Sequence, residues 1–369
     1  MNNSRWEIWL DDPRGNRLAL LNGARSFSFT RVANSIGDFS ISMPADFDHS
    51  LARVDSLIEF WRAPVGGSLK WVGVGLARRF DYSGWPATLT IGGPDGIDLL
   101  NRRIVAYAAG SAQAAKTDYL DDMIKEIITQ NLGSGAVAAR DLSSLGLSVA
   151  ADLSAAPSAT CGFSWQNVLE LCLRLTDASR QAGTELYFDL EPTLISDSQI
   201  GFVFRTFTGQ RGADHTYPDG RNPILFGPEW GNLENPSLEY IYDEEINYVY
   251  AGGQGEEADR EIVEVSDSTR IGASVWNRRE GFADARNEPT TAGVTTKGNE
   301  VLAAGRPRLH FSGDLLDTER ARYGVEWEFG DRVSATYLGR QFDGMIRAVS
   351  IQMGDGGQET LTARLEVDG

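Results

Sequence analysis

Gly75-Leu76-Ala77-Arg78-Arg79-Phe80 and Gly344-Met345-Ile346-Arg347-Ala348-Val349 decide the reading of this chain. Each runs Gly-apolar-x-Arg-x-apolar. Asp55-Ser56-Leu57-Ile58-Glu59-Phe60 precedes the first, and Gly330-Asp331-Arg332-Val333-Ser334-Ala335-Thr336 precedes the second. Ala87-Thr88-Leu89-Thr90-Ile91 follows the first, and Glu359-Thr360-Leu361-Thr362-Ala363-Arg364-Leu365 follows the second. Alternating apolar and polar residues mark these segments as strands. Both ends therefore spell strand, strand, turn, strand. A chain that carries one small β-unit twice presents twice as many units as it has subunits. A trimer would present six around one axis, which suits a protein that joins something sixfold to something threefold.

Strand signals extend through residues 5–105. Phe39-Ser40-Ile41-Ser42-Met43 alternates strictly, and Pro44 ends it. Asp11-Asp12-Pro13-Arg14-Gly15-Asn16 reads as a hairpin-type turn. Residues 117–131 predict a helix, with Thr117 as its cap and Asp118, Asp121 and Asp122 near its positive end. Leu120, Met123, Ile124, Ile127 and Ile128 form its apolar stripe. A second helix is predicted from Ser164, with Ser164 as the cap and Trp165, Val168, Leu169, Cys172 and Leu175 on one face. Residues 133–160 read as loops with one strand at 145–149. Strands return at 186–190 and 200–204 as a hairpin, then at 239–242, 247–250 and 261–265, with an exposed loop at 209–223. A helix near 295–304 ends at Gly305, and the rest is β. The fold class is α+β and β-dominated, with a mixed middle between the two related ends. Four regions follow: 1–105, β; 106–183, a helical and mixed insertion; 184–305, a β-rich middle; and 306–369, the second β-unit.

The 369 residues are too many for one ordinary core. Hydrophobic residues make up 41% and aromatics 10%, enough to bury real cores. No run of eighteen apolar residues predicts a membrane helix. The start, Met1-Asn2-Asn3-Ser4-Arg5-Trp6, has neither the basic nor the apolar part of a secretory signal. Synthesis in a cytoplasm is expected, with departure as part of a particle left open. Cys161 and Cys172 are too few for a disulfide framework, and Cys172 reads as a core residue. The net charge of −18 argues against tight nucleic-acid binding, which needs clustered Lys and Arg. An acidic wall would instead let a negative polymer slide past.

No catalytic, cofactor-binding or metal-binding residues are assigned. His49, His215 and His310 are isolated in sequence and sit in no metal-ligand frame. Gly162-Phe163-Ser164-Trp165-Gln166 comes nearest to a nucleophile elbow, but Gln166 replaces the second glycine. Gly252-Gly253-Gln254-Gly255-Glu256-Glu257 reads as a turn, because two acids stand where a phosphate needs donors. Glu185, Asp189 and Glu191 would share one strand face, a spacing open to glycosidase chemistry or to a solvated surface. The nine tryptophans are dispersed, and those in alternating strands are expected in cores.

Asn247-Tyr248-Val249-Tyr250-Ala251-Gly252-Gly253-Gln254-Gly255, Asp259-Arg260 and Arg278-Arg279-Glu280-Gly281-Phe282-Ala283-Asp284-Ala285-Arg286 resemble hub-type tail proteins of long-tailed phages. So do Gly37-Asp38-Phe39-Ser40-Ile41-Ser42-Met43-Pro44, Leu57-Ile58-Glu59-Phe60-Trp61-Arg62 and Gly96-Ile97-Asp98-Leu99-Leu100-Asn101-Arg102-Arg103. The resemblance implies a structural, non-enzymatic virion protein at the tail tip, similar to the trimeric baseplate hub of contractile-tailed phages. It implies two tube-type β-barrel domains, one at each end, in a pseudo-sixfold ring with the mixed regions outside. The implied partners are two further copies, a tail tube or distal tail protein above, tip or fibre proteins below, and DNA in passage, with no membrane anchoring. Arg278, Arg279, Glu280 and Asp284 are then ion-pair or interface residues. The alternative is a β-rich glycosidase or a carbohydrate- or receptor-binding module at the host surface.

Overall fold

The computed structural model describes residues 4–45, 51–106, 114–163, 165–286, 288 and 290–367. The first strands are β1 (Arg5–Asp11), β2 (Arg17–Leu20), β3 (Ser26–Val32), β4 (Asp38–Pro44), β5 (Leu57–Ala63), β6 (Lys70–Leu76), β7 (Arg79–Ser83) and β8 (Thr88–Pro94). The middle holds α1 (Asp98–Asn101), β9 (Ala114–Tyr119), α2 (Leu120–Asn131), β10 (Leu147–Val149), β11 (Ser158–Phe163), α3 (Val168–Gln181), β12 (Leu186–Ser196) and β13 (Gln199–Thr208). Then come β14 (Asp214–His215), β15 (Leu225–Phe226), β16 (Leu233–Ile241), β17 (Tyr248–Gly252), β18 (Ile262–Ser266), α4 (Ser268–Ile271), β19 (Glu280–Asp284) and α5 (Thr291–Ala304). The chain closes with β20 (Arg308–Leu315), β21 (Arg332–Tyr337), β22 (Arg340–Met353) and β23 (Glu359–Val367).

Strands from both ends join one eleven-stranded sheet, whose main path is β16-β20-β23-β22-β3-β4-β8-β7. The seam between the two ends is the antiparallel pair β22–β3, with Ile351 opposite Phe29 and Ser350 opposite Thr30. A second sheet, β2-β1-β5-β6, lies against it. Phe27, Phe29, Phe39 and Ile41 of the large sheet pack with Ile8, Leu10, Ile58 and Phe60 of the smaller one. Loop residues Tyr323, Trp327 and Phe329 extend that core. The sheets meet closely because β6 carries glycines: a Cβ at Gly73 would lie 2.2 Å from Phe29, and one at Gly75 would lie 2.1 Å from Phe39.

Among the described residues no sheet closes into either of the two barrels that the resemblance implied. The path stays open at β7 and β16, and the two ends share a sheet because β22 runs fourteen residues. Its first half pairs with β21 and its second half reaches β3. The N-terminal counterpart of β22 is split. Gly75–Phe80 is not one strand: the chain leaves the small sheet at Ala77 and enters the large one at Arg79.

A second core binds α2 and α3 to the sheet β10-β13-β12. α2 starts later than its spacing predicts. Thr117 lies in β9 opposite Thr160, and that strand pairing displaces the expected cap. Asp121 and Asp122 do occupy the first turn, where they accept backbone N–H bonds from residues 153–156. α3 is capped by Asn167, which accepts from the Glu170 N–H. Ser164, the expected cap, lies outside the described residues. Trp165 has positive φ and is 56% exposed, so it falls off the stripe on which Val168, Leu169, Cys172 and Leu175 are buried. The β12–β13 hairpin forms as expected, with Leu190 opposite Phe204. The loop 209–223 is not wholly exposed: β14 adds Asp214 and the buried His215 parallel to β21.

A third, small core places α5 on the sheet β18-β17-β19. This unit is inserted in the β16–β20 hairpin, whose stem closes at Ile241 opposite Arg308.

Candidate functional site

The repeat holds at the level of register. Ile58 stands opposite Gly75, and Val333 stands opposite Gly344. Phe80 pairs with Ile91, and Val349 pairs with Ala363. Phe39 pairs with Gly93, and Phe311 pairs with Leu365. Phe29 pairs with Phe39, and Leu238 pairs with Phe311. The last three matches run along a four-strand unit, and the first lies in the hairpin that leads into its final strand. The units are β3-β4-β8-β7 and β16-β20-β23-β22. Where the first unit breaks at Arg78, the second has a register shift between Ile346 and Ala348, around Arg347.

Alternation splits the large sheet into two faces. One is the core face just described. The other is polar and half-buried or exposed, and it carries Ser28, Thr30, Ser40, Thr90, Ser350 and Thr362. Thr30 and Ser350 touch across the seam at 3.1 Å, and the Thr362 hydroxyl donates to Asp314 at 2.6 Å. Asp38, Asp81, Glu239, Asp314 and Glu366 share this face with Arg79, Arg308 and Arg364, and Glu366 pairs with Arg347 at 2.6 Å, so acids outnumber bases on it narrowly. Both ends of the path are edge strands. β7 pairs only with β8 and β16 only with β20 among the described residues. Tyr82 on β7 and Tyr240 on β16 are half-exposed, and Trp85 beyond β7 is 96% exposed.

Ion pairs tie the layers behind this face. Asp189 is buried between Arg31, at 2.5 Å, and Arg211. Burial alone would lift its carboxyl, but the two guanidiniums more than reverse this and hold it below the usual carboxylate range. Glu191 pairs with Arg205 at 3.0 Å. Burial raises the Glu185 carboxyl. Glu185 stays at the surface while Asp189 is locked between two arginines and Glu191 is paired, so the three do not share one solvated face. Arg62 of β5 donates to Glu359 of β23 at 3.0 Å, to the Tyr323 carbonyl at 2.9 Å, and to Asp317. A polar cavity of about 120 Å³ lies among Arg31, Arg62, Arg211, Glu191 and Glu328.

Glu59 is fully buried in β5. It accepts from Arg17 at 2.6 and 2.9 Å and from the indoles of Trp61 and Trp71, both at 2.9 Å. Burial, then the Glu59 charge, pushes Asp11 beside it up to about 8. Nothing in the sequence marks this pair, because Asp11 reads as the start of a polar turn.

The remaining sequence candidates are dispersed. His49 lies outside the described residues. His215 contacts the Arg221 carbonyl through Nδ1, and its Nε2 lies 3.6 Å from Asp331. His310 sits in β20 opposite Glu366. No group of three metal-ligating side chains occurs among the described residues. Cys161 and Cys172 are free thiols. Gly252–Gly255 does turn β17 into β18. Arg278 pairs with Glu280 at 2.6 Å and lies over the Tyr248 ring. Arg279 donates to the Glu245 carbonyl at 2.9 Å, and Asp284 pairs with Arg260 at 2.9 Å and with Arg286.

The profile of a family described as Siphovirus ReqiPepy6 Gp37-like protein matches residues 5–365. No curated protein matches the chain. Among solved structures, the tail protein from Neisseria meningitidis MC58 is similar with TM-score 0.60 at 14% identity, covering 99% of this chain and 97% of that one. The 43 kDa tail protein of prophage MuSo2 from Shewanella oneidensis gives 0.60 at 14%, covering 99% and 100%. Prophage tail protein gp18 from Listeria monocytogenes EGD-e gives 0.54 at 13%, covering 98% and 94%. At these identities the likeness is one of fold.

Proposed function

The chain belongs to the siphovirus ReqiPepy6 Gp37-like family and has the fold of phage tail proteins, and from that premise we propose that it is a tail-tip hub, a non-enzymatic trimer that continues the tail tube. The observation that carries this is the register-matched pair of four-strand units in one sheet. Three copies supply six such units. The wall draws on residues 1–105 and 306–369, to which β16 adds a strand from within 184–305. The helical and mixed parts sit outside. The hydroxylated acidic face lines the hole, where negative charge keeps DNA from sticking as it passes. A tube or distal tail protein seats above the ring and tip or fibre proteins seat below. A head-to-tail contact that closes after three copies gives such a ring.

Light scattering on the purified protein, followed by negative-stain imaging, tests this reading. The expected result is three times the chain mass and a ring with six lobes around a central hole. Tails assembled in the host and imaged at the tip give the second measurement. A tip whose density holds one or two copies, or none, refutes the hub.

A further inference from the structure

The seam inside the chain shows how two units join. The last strand of one unit, β22, pairs with the first strand of the other, β3. In the repeat, the counterpart of β22 is β7 and the counterpart of β3 is β16. These are the two free ends of the path. We propose that a second copy of this chain docks its β16 antiparallel on β7 in the register of the internal seam, which sets Tyr82 opposite Leu238. This rests on the ring reading above and goes beyond it by naming the joint and its register.

The register follows residue by residue. Val349 opposite Arg31 becomes Phe80 opposite Tyr240, and Ile351 opposite Phe29 becomes Tyr82 opposite Leu238. The joint then runs from Arg79 opposite Ile241 to Ser83 opposite Ser237. That is the whole of β7 against the whole of β16 beyond its irregularity. β16 shifts register between Glu234 and Ser237, and Pro236 lies in that shift. Proline cannot donate to a ladder, so the joint ends there. On the core side, Phe80 and Tyr82 meet Leu238 and Tyr240. These are apolar edge positions that solvent would otherwise leave as an open template.

On the polar face the same register sets Asp81 opposite Glu239. Their internal counterparts, Ser350 and Thr30, make a hydroxyl contact. Like charges directly opposite oppose pairing. Arg79 lies diagonally across the joint from Glu239, so the repulsion is partly offset. Ring closure between copies is therefore weaker than the seam within each, and it strengthens with salt. Replacing Asp81 with Asn is expected to tighten association by about 1.4-fold to fivefold per joint, the range for one cross-strand pair.

Disulfide trapping tests the register in the full chain with Cys161→Ser as background. Ser83→Cys with Ser237→Cys places two exposed positions opposite each other. Ser83→Cys with Glu239→Cys is two residues out of register, where Cβ atoms stand about 7–8 Å apart and a disulfide does not close. The expected result is covalent trimers from the first pair under mild oxidation, and at least fivefold less product from the second. Asp81→Asn should raise the yield of the first. Equal products from both pairs, or none from a protein that light scattering shows to be trimeric, overturn the register and leave the ring standing. A chain that stays monomeric at high salt with Asp81→Asn overturns the joint, whereas the copy number at the tail tip decides the ring separately.

Discussion

At the residue scale, two buried carboxyls behave in opposite ways. Asp11 sits in a fully buried site beside Glu59, and its proton is held up to about pH 8, against 3.8 in the unfolded chain. The folded state therefore keeps a proton that the unfolded chain loses, and stability falls as pH rises from about 4 to about 8. Asp11→Asn carries a neutral amide at every pH. Its stability relative to wild type is expected to climb across that window by at least about 1.4 kcal/mol, the worth of one pKa unit, and its melting temperature with it. A flat difference between pH 4 and pH 8 in a thermal scan would refute it. Asp189 is the reverse case, a carboxylate kept charged by Arg31 and Arg211. Asp189→Asn leaves two buried guanidiniums underpaired and is expected to cost about 3 kcal/mol in denaturant unfolding. That pairing gives Asp189 a structural part that its strand spacing does not show. A general acid needs a raised pKa, and this group has a lowered one.

At the element scale, the repeat glycines were visible in sequence and their reason was not. Gly75 and Gly344 open equivalent segments and occupy the same place in their hairpins. A Cβ at Gly75 would strike the Phe39 ring, and one at Gly344 would lie 2.4 Å from the Glu366 carbonyl oxygen. Gly75→Ala is expected to cost about 1–3 kcal/mol through overpacking, read as a lower urea midpoint at unchanged slope. Strand alternation, the α2 and α3 stripes and the two related ends were all legible, because each is a local period. The sharing of one sheet by the two ends was not. It depends on β22 running past its hairpin to reach β3, a pairing between residues more than three hundred apart in sequence. The cap of α2 was misread for a related reason. Thr117 is a good cap by type, but β9 takes it into a strand pair with β11. Nor did any motif mark β7 and β16 as edges, because an edge is defined by the partner it lacks.

At the scale of the whole molecule, the acidity has an address. Part of the −18 charge lies on the hydroxylated face of the large sheet, through Asp38, Asp81, Glu239, Asp314 and Glu366. In a gel-shift assay the protein is expected to leave duplex DNA free at concentrations up to about 10⁻⁴ M, the weak limit of ordinary non-specific binding. Charge reversal at Asp38, Asp81 and Asp314 should create retention that fades with salt. Retention by the unaltered protein would rule out a non-stick face. The small α5 unit points to a different consequence. It enters and leaves the large sheet through one rung, Ile241 opposite Arg308, whereas the equivalent hairpin between β3 and β4 needs only a short turn. It is therefore a graft on a stem that could close without it. In the ring proposed above, exchanging residues 242–307 for another small domain would change what is displayed three times around the circumference, with no strand of the conduit rewritten.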